Sequence, residues 1–209
     1  MGYIFKVLFF ALLLCGMSSA DIIDEADEAY NNGEYAKAIK LYTELCDKKD
    51  GYSCSVLGYM YENAEGMDKK YPKKAVELYE KSCELQEVLG CYNLGAAYDY
   101  GDIIEQDYKK AFELYKKACD GKYAISCTNL GYMYDFGSGM EQDYKKAMEL
   151  YLKACKLDDG MGCNNAGALY EDGLGTKKNK KNALQYYSKA CELNESLGCE
   201  NYHDLTKSK

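Results

Sequence analysis

Five cysteine pairs of one design, Cys-x7-Cys, run along this chain: Cys46/Cys54, Cys83/Cys91, Cys119/Cys127, Cys155/Cys163 and Cys191/Cys199. Their first members stand 37, 36, 36 and 36 residues apart. A period that constant means an internal repeat, in which each unit packs on its neighbours and no single core grows. An even set of cysteines behind an export leader reads as disulfides, one per repeat. Structural zinc sites use cysteine spacings of about two to four residues and often histidine. Here seven residues separate the partners and His203 is the one histidine, so no metal is expected. Nothing in the sequence calls for a cofactor.

The eleventh cysteine, Cys15, falls in the expected leader. Lys6 gives a basic start, Val7 to Cys15 is an apolar run too short to span a bilayer, and Ser18-Ser19-Ala20 offers small residues for cleavage before Asp21. Leu14 is too large for a lipoprotein signal centred on Cys15. The expectation is a signal peptide over 1–20, a repeat array over 21–209, and a secreted or periplasmic product. All 34 acidic residues and every basic residue except Lys6 lie beyond Ala20, and the basic residues are all lysine. An acidic balance of this kind excludes nucleic acid, which needs an excess of cations, and disfavours anionic membrane surfaces. No later segment is apolar enough for membrane insertion, and cationic partners suit the charge.

Superposing the repeats shows why they are helical. Before the first cysteines stand Ala75-Val76-Glu77-Leu78-Tyr79, Ala111-Phe112-Glu113-Leu114-Tyr115 and Ala147-Met148-Glu149-Leu150-Tyr151, with variants at Ala38 and Ala183. Apolar residues at the first, second, fourth and fifth places follow helical spacing, not strand alternation. After the second cysteines come Leu57-Gly58, Leu94-Gly95, Leu130-Gly131 and Ala166-Gly167, each followed by a tyrosine three residues beyond the glycine. Glu65-Gly66, Tyr100-Gly101, Gly137-Ser138-Gly139 and Gly173-Leu174-Gly175 mark the turns between. Glycine inside a helix costs about 1 kcal/mol against alanine, so its recurrence predicts a partner pressed where a Cβ would sit. The fold class is all-α, an α-solenoid of about five helix-loop-helix units capped at both ends. The recurring tyrosines read as core.

The string Lys-Ala-x3-Tyr-x3-Cys-x7-Cys-x3-Gly-x2-Tyr is complete from Lys74 to Tyr98, Lys110 to Tyr134 and Lys146 to Tyr170. It resembles the Sel-one-like repeat, a relative of the tetratricopeptide repeat, and in particular the Helicobacter cysteine-rich protein family of secreted, disulfide-linked repeats. The match runs from about Ala26 to Tyr202, with Asn182 for the lysine and His203 for the glycine of the last unit. The resemblance implies a right-handed superhelix. It also implies two functions: a scaffold that binds a peptide or protein in a concave groove, or β-lactamase and penicillin-binding activity, with β-lactam or peptidoglycan-related compounds as ligands.

For catalysis the residues offer little. A serine β-lactamase needs Ser-x-x-Lys, Ser-Asp-Asn and Lys-Thr-Gly, and none of these strings occurs. A zinc enzyme needs several histidines. Catalytic residues therefore stay unassigned, with tyrosine, lysine and carboxylates as the remaining acid–base groups. For the scaffold, Asn93, Asn129, Asn165 and Asn201 recur two residues after the second cysteine, where the first unit has Val56. A carboxamide donates and accepts at once, so a ladder of them can hold an extended peptide backbone; equally, it can tie repeat to repeat. Tyr92, Thr128, Asn164 and Glu200 are expected at the groove rim. Asp99, Asp135 and Glu171 are expected at solvated helix ends, where they favour a basic peptide or stand merely hydrated. Lysine pairs such as Lys109-Lys110 read as a solvated face. Glu192-Leu193-Asn194-Glu195-Ser196 matches an N-glycosylation sequon.

Overall fold

The structure is a computed structural model, described here over residues 18–207. Within those residues it holds eleven helices and no strand: α1 Ser19–Asn31, α2 Tyr35–Asp47, α3 Gly51–Asn63, α4 Pro72–Glu84, α5 Val88–Tyr100, α6 Tyr108–Asp120, α7 Ala124–Phe136, α8 Tyr144–Lys156, α9 Gly160–Asp172, α10 Lys180–Glu192 and α11 Ser196–Lys207. The chain divides into two compact units on either side of Gly90/Cys91. In the first, α1 packs on α2, α2 on α3 and α3 on α4; in the second, α6 through α11 pack each on the next. In the second unit α9 also touches α7 and α11, so successive first helices of the repeats meet directly.

The sequence writes its own helix boundaries. Asp50, Asp107, Asp143, Asp159 and Asn179 cap α3, α6, α8, α9 and α10, each carboxylate or carboxamide accepting a backbone N–H of the first turn. Pro72 sits in the first turn of α4, where its missing N–H is no loss. Ser18 and Asp21 form a reciprocal capping box on α1. The expected cleavage point before Asp21 falls inside that first turn; the rest of the expected leader, Lys6 and Cys15 included, lies outside the described residues.

Four disulfides join the last turn of one helix to the first turn of the next: Cys46–Cys54, Cys119–Cys127, Cys155–Cys163 and Cys191–Cys199, with Cα atoms 4.5 to 4.8 Å apart. Cys83 and Cys91 are disulfide-bonded as well. Small residues permit so close a crossing. A Cβ placed on Gly162 would lie 2.6 Å from that of Ala154.

The buried tyrosines carry the core and explain the helical glycines. Tyr42, Tyr79, Tyr115, Tyr151 and Tyr187, one on each second helix, are at most 2% exposed. In the second unit a Cβ on Gly131 would stand 2.6 Å from the Tyr151 ring; Gly95 and Gly167 seat Tyr115 and Tyr187 the same way. Each hydroxyl then donates to a carboxylate one helix earlier: Tyr42 to Asp27 (2.5 Å), Tyr79 to Glu62 (2.6 Å), Tyr115 to Asp99 (3.2 Å), Tyr151 to Asp135 (3.0 Å) and Tyr187 to Glu171 (2.9 Å). A glycine seat and an acid one turn further on thus hold every ring of the series from Tyr79 onward. On α11 the seat carries the exposed His203.

Candidate peptide-binding face

The first helices α7 and α9 are packed on most of their circumference. In α7 the residues Ser126, Cys127, Thr128, Leu130, Gly131 and Met133 are all buried. Residues at offsets of four, seven and eleven, Ile125, Asn129, Tyr132 and Phe136, form one narrow strip that is left exposed or half-exposed. At 100° per residue these fall within about 60° of arc. The same places on α9 hold Met161, Asn165, Ala168 and Asp172; on α5 the asparagine is followed by Ala96 and Tyr100.

This strip carries apolar surface that the helices do not need for packing. Ile125, Met161 and Leu197 are 43%, 42% and 51% exposed and form a row across α7, α9 and α11. At the other end of the strip Tyr100 is 64% exposed and Phe136 70%. The asparagine ladder lies between. The asparagine spacing marks the ladder but neither flank, although an apolar residue stands two places before the second cysteine in every repeat: Tyr52, Leu89, Ile125, Met161 and Leu197.

The ladder is partly engaged within the protein. Asn201 Nδ2 donates to Asn164 Oδ1 at 2.8 Å, and Asn164 Nδ2 donates to Asn165 Oδ1 at 3.3 Å, so a chain of carboxamides links α11 to α9. Asn129 bonds the Tyr115 hydroxyl. Asn165 Nδ2 is buried without a hydrogen-bond partner among the described residues.

Several expected rim residues are elsewhere. Thr128 and Asn164 are buried, not on a rim, and the Thr128 hydroxyl donates to Asp159 at the cap of α9. Each meets the next first helix, Thr128 at the cap of α9 and Asn164 at Asn201 of α11. Tyr92 is half-buried, its ring centroid 5.0 Å from that of Tyr123, while Glu200 is exposed. Asp99, Asp135 and Glu171 are not simply solvated ends but the acceptors of the buried tyrosines. An acid standing sixteen residues before Tyr115, Tyr151 and Tyr187 was the available signal. Lys110 and Lys146 lie 4.6 and 5.0 Å over the rings of Tyr98 and Tyr134. Asn194 of the sequon is exposed in the ring closed by Cys191 and Cys199, with a left-handed φ of 64°.

Protonation follows from burial. The Tyr115 and Tyr151 hydroxyls are pushed far up, first by desolvation and then by the carboxylates Asp99 and Asp135. Such tyrosines stay protonated at neutral pH and serve as donors, not as bases. Burial likewise raises Asp99 and Asp135, with the tyrosine hydroxyl bonds opposing it. Among the described residues no group of three His, Cys, Asp or Glu side chains is arranged to hold a metal, and no helix is long and apolar enough to cross a membrane.

The repeat seen here has known counterparts. The Sel1 repeat model matches residues 51–87, 88–123, 124–159 and 160–195. A Sel1 repeat protein from Oxalobacter formigenes superposes with a TM-score of 0.81 at 25% identity, covering 87% of this chain and 74% of that one. The uropathogenic Escherichia coli protective antigen c5321, described as displaying an SLR fold, gives 0.80 at 26% identity over 90% of this chain and 41% of its own. Helicobacter pylori cysteine rich protein B is 36% identical, with a TM-score of 0.52, over 65% of this chain and 97% of its own. HcpD of Helicobacter pylori, assigned as a β-lactamase in name, is 38% identical over 48 residues, which are 23% of this chain and 16% of HcpD. The chain therefore matches only about a sixth of that curated relative's length. With four consecutive repeats matched, one helix pair each, the chain is an α-solenoid that belongs to the Sel1 repeat family, similar within it to the Helicobacter cysteine-rich proteins.

Proposed function

We propose that the unit from Cys91 onward binds an extended peptide segment of a protein partner along the exposed strip of its first helices. The observation that carries this is the exposed apolar row Ile125, Met161 and Leu197 standing beside the asparagine ladder. Apolar side chains of the peptide lie on the row, and its backbone meets the carboxamides. Sel1 repeat folds as a class act as protein-interaction scaffolds. Disulfides at the helix junctions point to an oxidising, extracellular or periplasmic setting, and export on the 1–20 leader brings the chain there.

The β-lactamase alternative rests on the name of a relative matched over a small part of its length. The tyrosines, held as donors, add nothing to it.

The test is selection of a peptide from a displayed random library against the oxidised full chain, followed by titration. Ile125→Glu and Met161→Glu weaken the selected peptide at least tenfold if the strip is the site. Unchanged affinity in both sinks the proposal. The ladder has its own arm: if Asn129→Ala with Asn165→Ala preserves folding and affinity alike, the carboxamides do not grip the peptide.

A further inference from the structure

The carboxyl ends of the first helices run against the usual distribution of charge. A helix C-terminus carries partial negative charge and favours lysine or arginine in its last turn. The second helices obey, with Lys117 in α6, Lys153 and Lys156 in α8, and Lys189 in α10. The first helices α5, α7 and α9 have no basic residue there. They end instead on Asp99-Tyr100, Asp135-Phe136 and Glu171-Asp172.

Packing accounts for only part of this. Asp99 and Asp135 each accept a tyrosine hydroxyl, which a neutral asparagine oxygen could do equally well. Nothing buried accounts for the rings beside them, since Tyr100 and Phe136 are the two most exposed large apolar residues described. Phe136 is held in place by stacking on Tyr132, with centroids 5.9 Å apart and planes 24° from parallel. Gln142 Nε2 donates to the Asp135 carbonyl at 2.5 Å and Gln106 Nε2 to that of Asp99 at 2.6 Å, fixing the two helix ends alike. Each end thus carries an exposed aromatic ring, a carboxylate and the negative pole of a helix.

We propose that these helix ends seat lysine or arginine side chains of the bound peptide, the aliphatic stem lying on Phe136 and Tyr132 and the cationic head meeting the ring face and the Asp135 carboxylate. Tyr100 and Asp99 make the second seat. The inference rests on the peptide-binding reading of the same strip. A cation over an aromatic ring gains most where a carboxylate is partly desolvated beside it, and arginine and lysine both present the long apolar stem the rings require.

The experiment uses the oxidised full chain and fluorescein-labelled peptides on one alternating leucine–serine frame, with lysine, arginine, norleucine or glutamate at the centre. Lysine and arginine peptides bind about tenfold tighter than norleucine. Phe136→Leu keeps apolar bulk and net charge but removes the ring; Asp135→Asn keeps an acceptor for Tyr151. Each brings the ratio of lysine to norleucine affinity down to about twofold, with the circular dichroism of the native chain retained. A preference that survives both variants, equal binding of lysine and norleucine, or a preference for glutamate overturns the seat while leaving the strip as a binding face. If no peptide of the series binds, the strip reading fails and the seat falls with it.

Discussion

The second helices of the repeats and the first helices answer to different demands. In α6, α8 and α10 one face is buried, centred on Ala111, Ala147 or Ala183 and on the tyrosine four residues later, while the opposite face is charged. In α7 and α9 neighbours cover almost every side, and apolar or small residues occur all round. A residue on a second helix is therefore chosen by the fold. One on the uncovered strip of a first helix is not, and its chemistry is open to selection by a partner. Exposed Ile125 and Phe136 are informative because nothing structural asks for them.

This division makes graded predictions. Tyr151→Ala empties the seat under Gly131 and leaves Asp135 unpaired, and is expected to cost about 4 kcal/mol. Chemical denaturation measures it, and a loss below about 1 kcal/mol would show that the second helices do not carry the core. Gly131→Ala tests the same contact from the other side: its Cβ would meet the Tyr151 ring, and overpacking of that kind costs about 1–3 kcal/mol.

Alkali should reach the fold through the same tyrosines. Tyr42, Tyr79, Tyr115, Tyr151 and Tyr187 all hold their protons more tightly folded, chiefly through burial. Unfolded tyrosine ionises near pH 10. Their contribution is complete below that pH; above it the unfolded chain loses protons first, and stability falls by up to about 1.4 kcal/mol per pH unit for each tyrosine until the folded chain ionises too. Urea midpoints at pH 8, 10 and 11 give the slope, and Tyr151→Phe should make it shallower by one tyrosine's share. A flat profile would contradict the burial of these hydroxyls. Least of all, Ile125→Ser and Phe136→Ser should change stability by less than about 0.5 kcal/mol while abolishing the preference for the selected peptide. A large loss of stability would return these residues to the core.

How far the sequence could be read follows from the same division. Second helices were plain from their periodicity, the cysteine pairs from their period, and the helical glycines from their recurrence. The first helices hid more. With most sides buried, α7 has no polar face to orient it, so Thr128 looked as accessible as Asn129 although one is buried and the other half-exposed. The Tyr151–Asp135 bond spans sixteen residues and a turn. Its geometry depends on how the two helices lie together, which spacing within either helix does not reveal. The asparagines were legible as a ladder but not their mutual bonds, because Asn201 pairs with Asn164 and not with its own counterpart, Asn165.

The placement of the disulfides has a mechanical consequence. In Cys46–Cys54, Cys119–Cys127, Cys155–Cys163 and Cys191–Cys199 the covalent link bypasses the residues between the partners. Tension applied along the chain runs through sulfur and leaves those turns slack. A protease that cuts inside one of them opens a ring but does not sever the molecule. The junctions between helices, the points where a string of small units would ordinarily part, are thus doubly strung.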